Sequence, residues 1–472
     1  MTSSEDILWT ASELAEVLGA PSCEDRDVFP GALSVSIDSR FVSKSWLFFA
    51  IKGHNNDGHN FVDQAFDNGA CAAVVGRDFA CERGCRFVVD DTYAALVALS
   101  KAARARFQGK VIAITGSVGK TTIKNMLAYL LGLQSKCHAS PKSFNNQYGV
   151  PLTLANMPRD CRFAVIEAGM NNPGELTSLG ELIMPDISCI SSICEAHIGR
   201  FDSLMNIAQA KSELFKHFNG PGTALLPGDN PFFKFLADTA KASGIRDVFS
   251  FGEADYADSR LIGVKTEKDS LSVNASVFGR KVEYRLDTLG EHWIHNSLAV
   301  LAMVHLAGGD VEKAASDFFG FKPTVGRGAK YKIKTSKGAE FLLIDESYNA
   351  NPESMAAALR SLGGTSSGQG RRIAVIADMK ELGEQDVALH LRLLPVIDKY
   401  RIDKVFTCGE LMHNLHKLVP TDKRGEWFPS CEQMTAEFSF EGYIKDEDIV
   451  MVKGSNSMGG GKIVEQLLSL QV

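Results

Sequence analysis

The chain has 472 residues, which at ~150 residues per domain predicts about three domains rather than one oversized core. Its 45% hydrophobic, 23% charged and 9% aromatic residues are those of a globular protein and exclude a disordered or collagen-like chain. Fifty Lys and Arg against 57 Asp and Glu leave a net charge of -7 with no basic block, which argues against a nucleic-acid partner.

The N-terminal stretch carries Glu5, Asp6, Glu13 and Glu16 and no apolar run, so no secretory signal is expected. No segment approaches the ~18 apolar residues of a membrane span. The expectation is a cytoplasmic protein without stable membrane insertion, its ten cysteines reduced. Cys81 and Cys85 bracket Glu-Arg-Gly, but a zinc site needs two further ligands and none is evident nearby.

In chain order, residues 12–18 predict an amphipathic helix capped by Ser12. Residues 46–51 predict a strand, 61–69 a helix, 72–75 a strand and 94–106 a helix. The polar Phe107-Gln108-Gly109 marks a first boundary and closes a small α/β domain over 1–108. A second domain, 109–326, opens with a buried strand at 111–114, a Gly-rich turn and a helix at 123–133. Strands at 163–167 and 187–193 alternate with helices such as 207–218, the pattern of a mostly parallel sheet. A third domain, 327–472, reads as Rossmann-like: strand 341–344, helix 354–362, a Gly/Ser stretch, strand 373–377, helix 386–400, and strands 404–407 and 449–452. The predicted fold is therefore three-domain α/β, with a P-loop ATPase-like centre. Lys332 and Lys334 alternate along a strand and read as its solvated face.

The strongest local signal is Gly116-Ser117-Val118-Gly119-Lys120-Thr121-Thr122, directly after the apolar strand. Glycines let backbone N–H groups converge on phosphate, and the following helix N-terminus adds partial positive charge. Lys120 would reach the β/γ-phosphates of ATP, and the Thr121 hydroxyl would ligate Mg²⁺. Ile114 stands where the generic G-x-x-x-x-G-K-[ST] pattern has its first glycine, which favours ligases with a shorter loop over P-loop kinases and GTPases. Glu167 ends an apolar strand and is either a Mg²⁺ ligand or a capping or salt-bridged carboxylate. Taken alone, His197 is a loop histidine, Lys211 a solvated helix lysine and Asn296 a helix-surface residue.

Further motifs are Asp38-Ser39-Arg40, Asp57-Gly58-His59, Asn145-Asn146-Gln147-Tyr148-Gly149-Val150-Pro151 and Glu167-Ala168-Gly169-Met170-Asn171. Downstream are Ala210-Lys211-Ser212-Glu213, His292-x-x-x-Asn296, Gly326-Arg327-Gly328, Asp345-Glu346-Ser347-Tyr348-Asn349-Ala350-Asn351-Pro352 and Lys453-Gly454-Ser455. With the phosphate loop, these motifs make the whole chain similar to the Mur ligase family. The resemblance implies an ATP-dependent amide ligase of peptidoglycan synthesis that works through an acyl phosphate. It implies two Mg²⁺ ions held by Thr121, Glu167, His197 and Lys211, the last carbamylated by CO₂. Lys120, Lys211, His197 and Arg327 become the catalytic set, and Gly116, Ser117, Gly119, Thr121, Thr122, Asn296, Arg327 and Asp345 the nucleotide site, Asp345 through the ribose. Ser39, Arg40, Lys52 and His59 would hold the uridine nucleotide, while Asn145, Asn146, Tyr348, Asn349, Asn351, Lys453 and Ser455 would contact substrate. Tyr348-Asn349-Ala350-Asn351-Pro352, with no Asp-Asn-Pro-Arg signature, favours the member type that joins D-alanyl-D-alanine to UDP-MurNAc-tripeptide; a monomer is expected. Asn172 and Asn456 depart from the residues common in that type. Another Mur step, a folylpolyglutamate-type ligase, a P-loop ATPase or kinase, and a silent nucleotide-binding protein remain the alternatives.

Overall fold

The computed structural model describes residues 7–21, 29, 31–53, 56–79, 83–196, 198–267, 270–366 and 368–472. Among the described residues three large sheets organise the chain, beside a two-stranded ribbon of Trp9–Thr10 and Gly31–Ala32. In the N-terminal part, Ser34–Ser36, Trp46–Phe49, Ala70–Gly76 and Arg86–Val89 form a parallel sheet in that order. The apolar runs of Trp46–Phe49 and Ala70–Gly76 suit a sheet covered on both faces. Helix Ala11–Leu18 starts one residue earlier than predicted because Thr10, not Ser12, caps it, and Glu13 closes a reciprocal capping box. Helix Thr92–Arg106 likewise begins at Asp91, whose carboxylate accepts from the Tyr93 and Ala94 amides.

The central sheet has nine strands. Lys110–Thr115 lies between Ile187–Ile190 and Phe163–Glu167, all parallel, with Cys137–Ala139 at one edge. Toward the other edge run Thr223–Pro227 and Asp247–Gly252, then an antiparallel meander of Ser259–Thr266, Leu271–Val277 and Arg280–Leu286. The mostly parallel prediction is met, and the meander extends it. One apolar core packs helices Lys120–Gly132 and Glu291–Leu306 on one face, and a second fills the other. The third sheet runs Ala329–Lys334, Glu340–Glu346, Ile449–Lys453, Arg372–Ala377, Lys404–Cys408 and Arg424–Phe428, antiparallel only at its first pair. The single helix expected over 386–400 is two, Asp386–Leu391 and Leu394–Lys399, because Pro395 can enter only a first turn.

Polar hinges tie the parts together. Asn156 accepts from the Ser34 hydroxyl at 2.6 Å and the Val35 amide at 2.8 Å, and donates to the Val35 carbonyl at 2.9 Å. On the other side, the Gly199 amide donates to the Glu381 carbonyl at 3.1 Å, and Arg392 pairs with Glu195 at 2.9 Å. Among the described residues seven cysteines are free, whereas Cys85 is disulfide-bonded, against the expectation of uniformly reduced thiols. No described helix is long and apolar enough to cross a membrane.

Candidate active site

The C-terminal ends of the central strands open into a cavity of about 1120 Å³ walled by the central and third domains. The phosphate loop forms its floor. Gly116 has φ +145, and a Cβ there would lie 1.9 Å from the Ser191 hydroxyl, so the loop can press against the neighbouring strand end only with glycine. Ser192 fixes it further: its carbonyl accepts from the Ser117 amide at 2.9 Å and its hydroxyl from the Val118 amide at 3.0 Å. Gly119, at φ +86, turns the chain into helix Lys120–Gly132. Its α-carbon faces Asn296, whose amide oxygen would stand 2.8 Å from a Cβ.

Lys120 donates to the carbonyls of Gly116 at 2.6 Å and Ser117 at 3.3 Å. Desolvation pushes its pKa down, opposed by the nearby Glu167 carboxylate. Glu167 is buried at the end of its strand. Its Oε1 accepts from Thr121 Oγ1 at 2.9 Å and Asn145 Nδ2 at 2.8 Å, while Oε2 is buried with no hydrogen-bond partner among the described residues. An unsatisfied carboxylate oxygen beside a hydroxyl is a hard-oxygen donor set that fits Mg²⁺.

Lys211 overturns the solvated-lysine reading. It is 3% exposed on helix Leu204–Ser212 and makes no ion pair among the described residues. Desolvation, and then repulsion from Lys120, hold its pKa well below the ordinary lysine value. A neutral amine here is the form that can combine with CO₂. His197 lies outside the described residues.

The third domain supplies the opposite wall. The Arg327 guanidinium lies 4.0 Å from the Tyr348 ring centroid and donates to the Ser143 hydroxyl at 3.0 Å across the domain junction. Lys453 is buried, donating to the Asn349 carbonyl at 3.0 Å and Glu346 at 3.3 Å. Ser455, Asn456, Asn351 and Asn146 line the cavity. Asn351 also caps helix Pro352–Gly364, and Asn146 accepts from the Tyr148 and Gly149 amides. Desolvation, reinforced by Lys453 and Arg360, pushes the cavity-lining His292 down to about 3.

Several predicted residues lie elsewhere. Asp345 does not line the cavity: it is fully buried, accepting from the Gly326 amide at 2.6 Å and from the Ser347 amide and hydroxyl at 3.0 and 2.6 Å. It shapes the turn that carries Arg327, and its neighbour Glu346 faces the cavity instead. Ser39, Arg40, Lys52 and His59 sit on the first domain, away from this cavity. The Ser39 hydroxyl bonds Gln64 at 2.7 Å. His59 accepts from the Gly76 amide through Nε2 at 2.9 Å and meets Asp57 through Nδ1 at 2.6 Å. Arg40 and Lys52 are exposed. Sequence reasoning missed Lys124, Ser143, Glu346 and Lys380. For Lys124 one signal existed, its i+4 position from Lys120 on the same helix face.

Fold and site together define a multidomain P-loop enzyme with a metal-ready carboxylate and a cationic wall contributed by a separate domain. Residues 33–111 match the Mur ligase family catalytic domain, 114–304 the Mur ligase middle domain and 332–456 the Mur ligase glutamate ligase domain. A UDP-N-acetylmuramoyl-tripeptide–D-alanyl-D-alanine ligase of Rickettsia prowazekii is 30% identical over 97% of this chain and 99% of its own. Among solved structures, the UDP-N-acetylmuramoylalanyl-D-glutamyl-2,6-diaminopimelate–D-alanyl-D-alanyl ligase of Acinetobacter baumannii superposes with TM-score 0.82 at 27% identity, covering 99% of this chain and 100% of that one. The Thermotoga maritima MurF ligase in complex with ADP superposes with TM-score 0.76 at 25% identity, covering 92% and 97%. The chain belongs to the Mur ligase family.

Proposed function

We propose that this chain joins D-alanyl-D-alanine to UDP-MurNAc-tripeptide at the expense of ATP, completing the pentapeptide precursor of peptidoglycan. The observation that carries the reading is the cavity itself, where the phosphate loop and Glu167 face Arg327, Asn349, Lys453 and Ser455 of another domain. The relatives' names, which specify this tripeptide and dipeptide, supply the substrates.

In this reading a carboxylate oxygen of the tripeptide attacks the γ-phosphorus, ADP departs and an acyl phosphate remains. The dipeptide amine then attacks the acyl carbon; the tetrahedral intermediate expels phosphate and the nitrogen loses its proton. Lys120 and Arg327 offset charge on the transferring phosphoryl group. Thr121 and Glu167 would hold one Mg²⁺, and His197 with a carbamate on Lys211 a second; bound there, the ions neutralise phosphate charge. The carbamate forms when the neutral Lys211 amine adds to CO₂ and releases a proton. Asn296, against the loop at Gly119, contacts the nucleotide base. Residues 1–108 take the uridine nucleotide through Ser39, Arg40, Lys52 and His59, residues 109–326 bind ATP, and residues 327–472 bring the dipeptide. The enzyme works as a cytoplasmic monomer.

The test is phosphate release from ATP with UDP-MurNAc-tripeptide, with and without D-alanyl-D-alanine. Turnover that requires both substrates is expected. Turnover indifferent to the amine would replace the ligase reading with an ATPase.

A further inference from the structure

Helix Lys120–Gly132 carries a second inward lysine, one turn past the phosphate-loop lysine, that the reading above does not use. Lys124 is 2% exposed, and its ammonium donates to the backbone carbonyls of Ser140 at 2.6 Å and Lys142 at 2.5 Å. Burying a lysine costs free energy unless its donors are satisfied, and here two carbonyls of one short segment satisfy two of its three.

That segment touches much of the phosphate end of the cavity. Ser140 Oγ accepts from the Glu167 amide at 3.0 Å, fixing the end of the strand that bears the carboxylate. Ser143 Oγ stands between Thr121 Oγ1 at 3.3 Å and the Arg327 guanidinium at 3.0 Å. Asn145 donates to Glu167 Oε1 at 2.8 Å. Between them, Lys142 has φ +48, a left-handed conformation that costs a residue with a side chain free energy and needs an outside restraint. The Lys124 bond to the Lys142 carbonyl is such a restraint.

We propose that Lys124 is a positioning residue for phosphoryl transfer: it clamps residues 140–145 so that Ser143 bridges Thr121 and Arg327 and Asn145 orients Glu167. The inference rests on the reading of the cavity as the phosphoryl-transfer site. Lys124 itself touches no substrate; it acts through Ser143 and Asn145.

The test combines Lys124→Met, Ser143→Ala and the double variant in the full-length enzyme. Turnover with ATP, tripeptide and dipeptide falls roughly 10–100-fold in each single variant, the range typical of groups that orient a site's inner residues, with a much smaller change in KM for ATP. The double variant is no slower than the worse single one, because loss of Lys124 already removes what Ser143 contributes. Ser143→Thr, which keeps the hydroxyl, restores most of the turnover that Ser143→Ala loses. Multiplicative losses, or a Lys124→Met enzyme that loses only thermal stability, would overturn the proposal. Hydrogen exchange is the readout independent of activity: Lys124→Met, or Lys124→Gln if the first does not fold, speeds amide exchange over 140–146 while strand Lys110–Thr115 stays protected. Unchanged exchange in that segment also defeats the proposal. A wild-type enzyme with no turnover on these substrates, but with the exchange result intact, defeats the function reading instead.

Discussion

Among the described residues Lys120 bonds only the carbonyls of its own loop, so its ammonium contributes little to the fold and is placed to leave those carbonyls for phosphate. Lys120→Ala is therefore expected to fold normally by thermal melt and to lose roughly 10²–10³-fold in kcat, the scale of removing one preorganised charge-stabilising donor. Retained full activity would remove Lys120 from the mechanism. Gly116 fails differently. A methyl group 1.9 Å from the Ser191 hydroxyl must displace either the serine or the loop, and φ +145 is itself unfavourable for alanine. Gly116→Ala is expected to weaken nucleotide binding more than Lys120→Ala does, measured by calorimetric titration with ADP. Lys211 offers a chemical readout: its buried amine is expected to carry a carbamate in a crystal structure of the active enzyme. A bare amine in such a structure, with full activity, would exclude that modification.

At the scale of single elements, the loop after strand Arg372–Ala377 carries Lys380 and Glu381 to the cavity wall, and a buried histidine holds it there. His390 donates from Nδ1 to the Asp386 carbonyl at 2.6 Å and accepts the Met379 amide on Nε2 at 3.0 Å, so only the neutral ring satisfies both bonds. Burial accordingly lowers its pKa below the ordinary 6.5. The folded state then binds fewer protons than the unfolded one below that pH. The stability His390 provides is present above it and lost as pH falls toward the depressed value, by at most about 1.4 kcal/mol per pH unit. His390→Asn should flatten the fall in unfolding free energy between about pH 7 and 5; an unchanged slope would show that the ring titrates normally. Elements of this kind also mark how far the sequence could be read. Strands such as Phe163–Glu167 were legible because parallel strands buried on both faces are continuously apolar. Helix starts were not, since Thr10, Asp91 and Asn351 act through cap geometry that several nearby polar residues could equally supply. The ribose contact that the resemblance implies for Asp345 meets a buried side chain, because strand alternation sends Asp345 and Glu346 to opposite faces and the motif alone does not say which face is which. Ser143 was invisible for a related reason: its importance lies in partners 22 and 184 positions away.

Across the whole molecule, the reading requires the third domain to meet the central one closely, since proximity of bound reactants can supply ~7–11 kcal/mol of a ligation barrier. A close backbone approach between the domains joins two glycines. A Cβ on Gly383, at φ +68, would stand 2.8 Å from the Gly199 α-carbon, next to the bond from the Gly199 amide to the Glu381 carbonyl. Gly383→Ala adds both strain and a wedge, so a control must separate them. Gly338, at φ +86 in the turn following Ala329–Lys334, has nothing within 4 Å of a built Cβ and carries the strain alone. Both variants are expected to melt at similar, slightly reduced temperatures. Only Gly383→Ala should lower kcat and raise KM for the dipeptide together, with a larger radius of gyration by small-angle scattering, as expected when closure is hindered. If the two variants have the same kinetics, the glycine contact is not where closure is decided, and Arg392–Glu195 becomes the next contact to break.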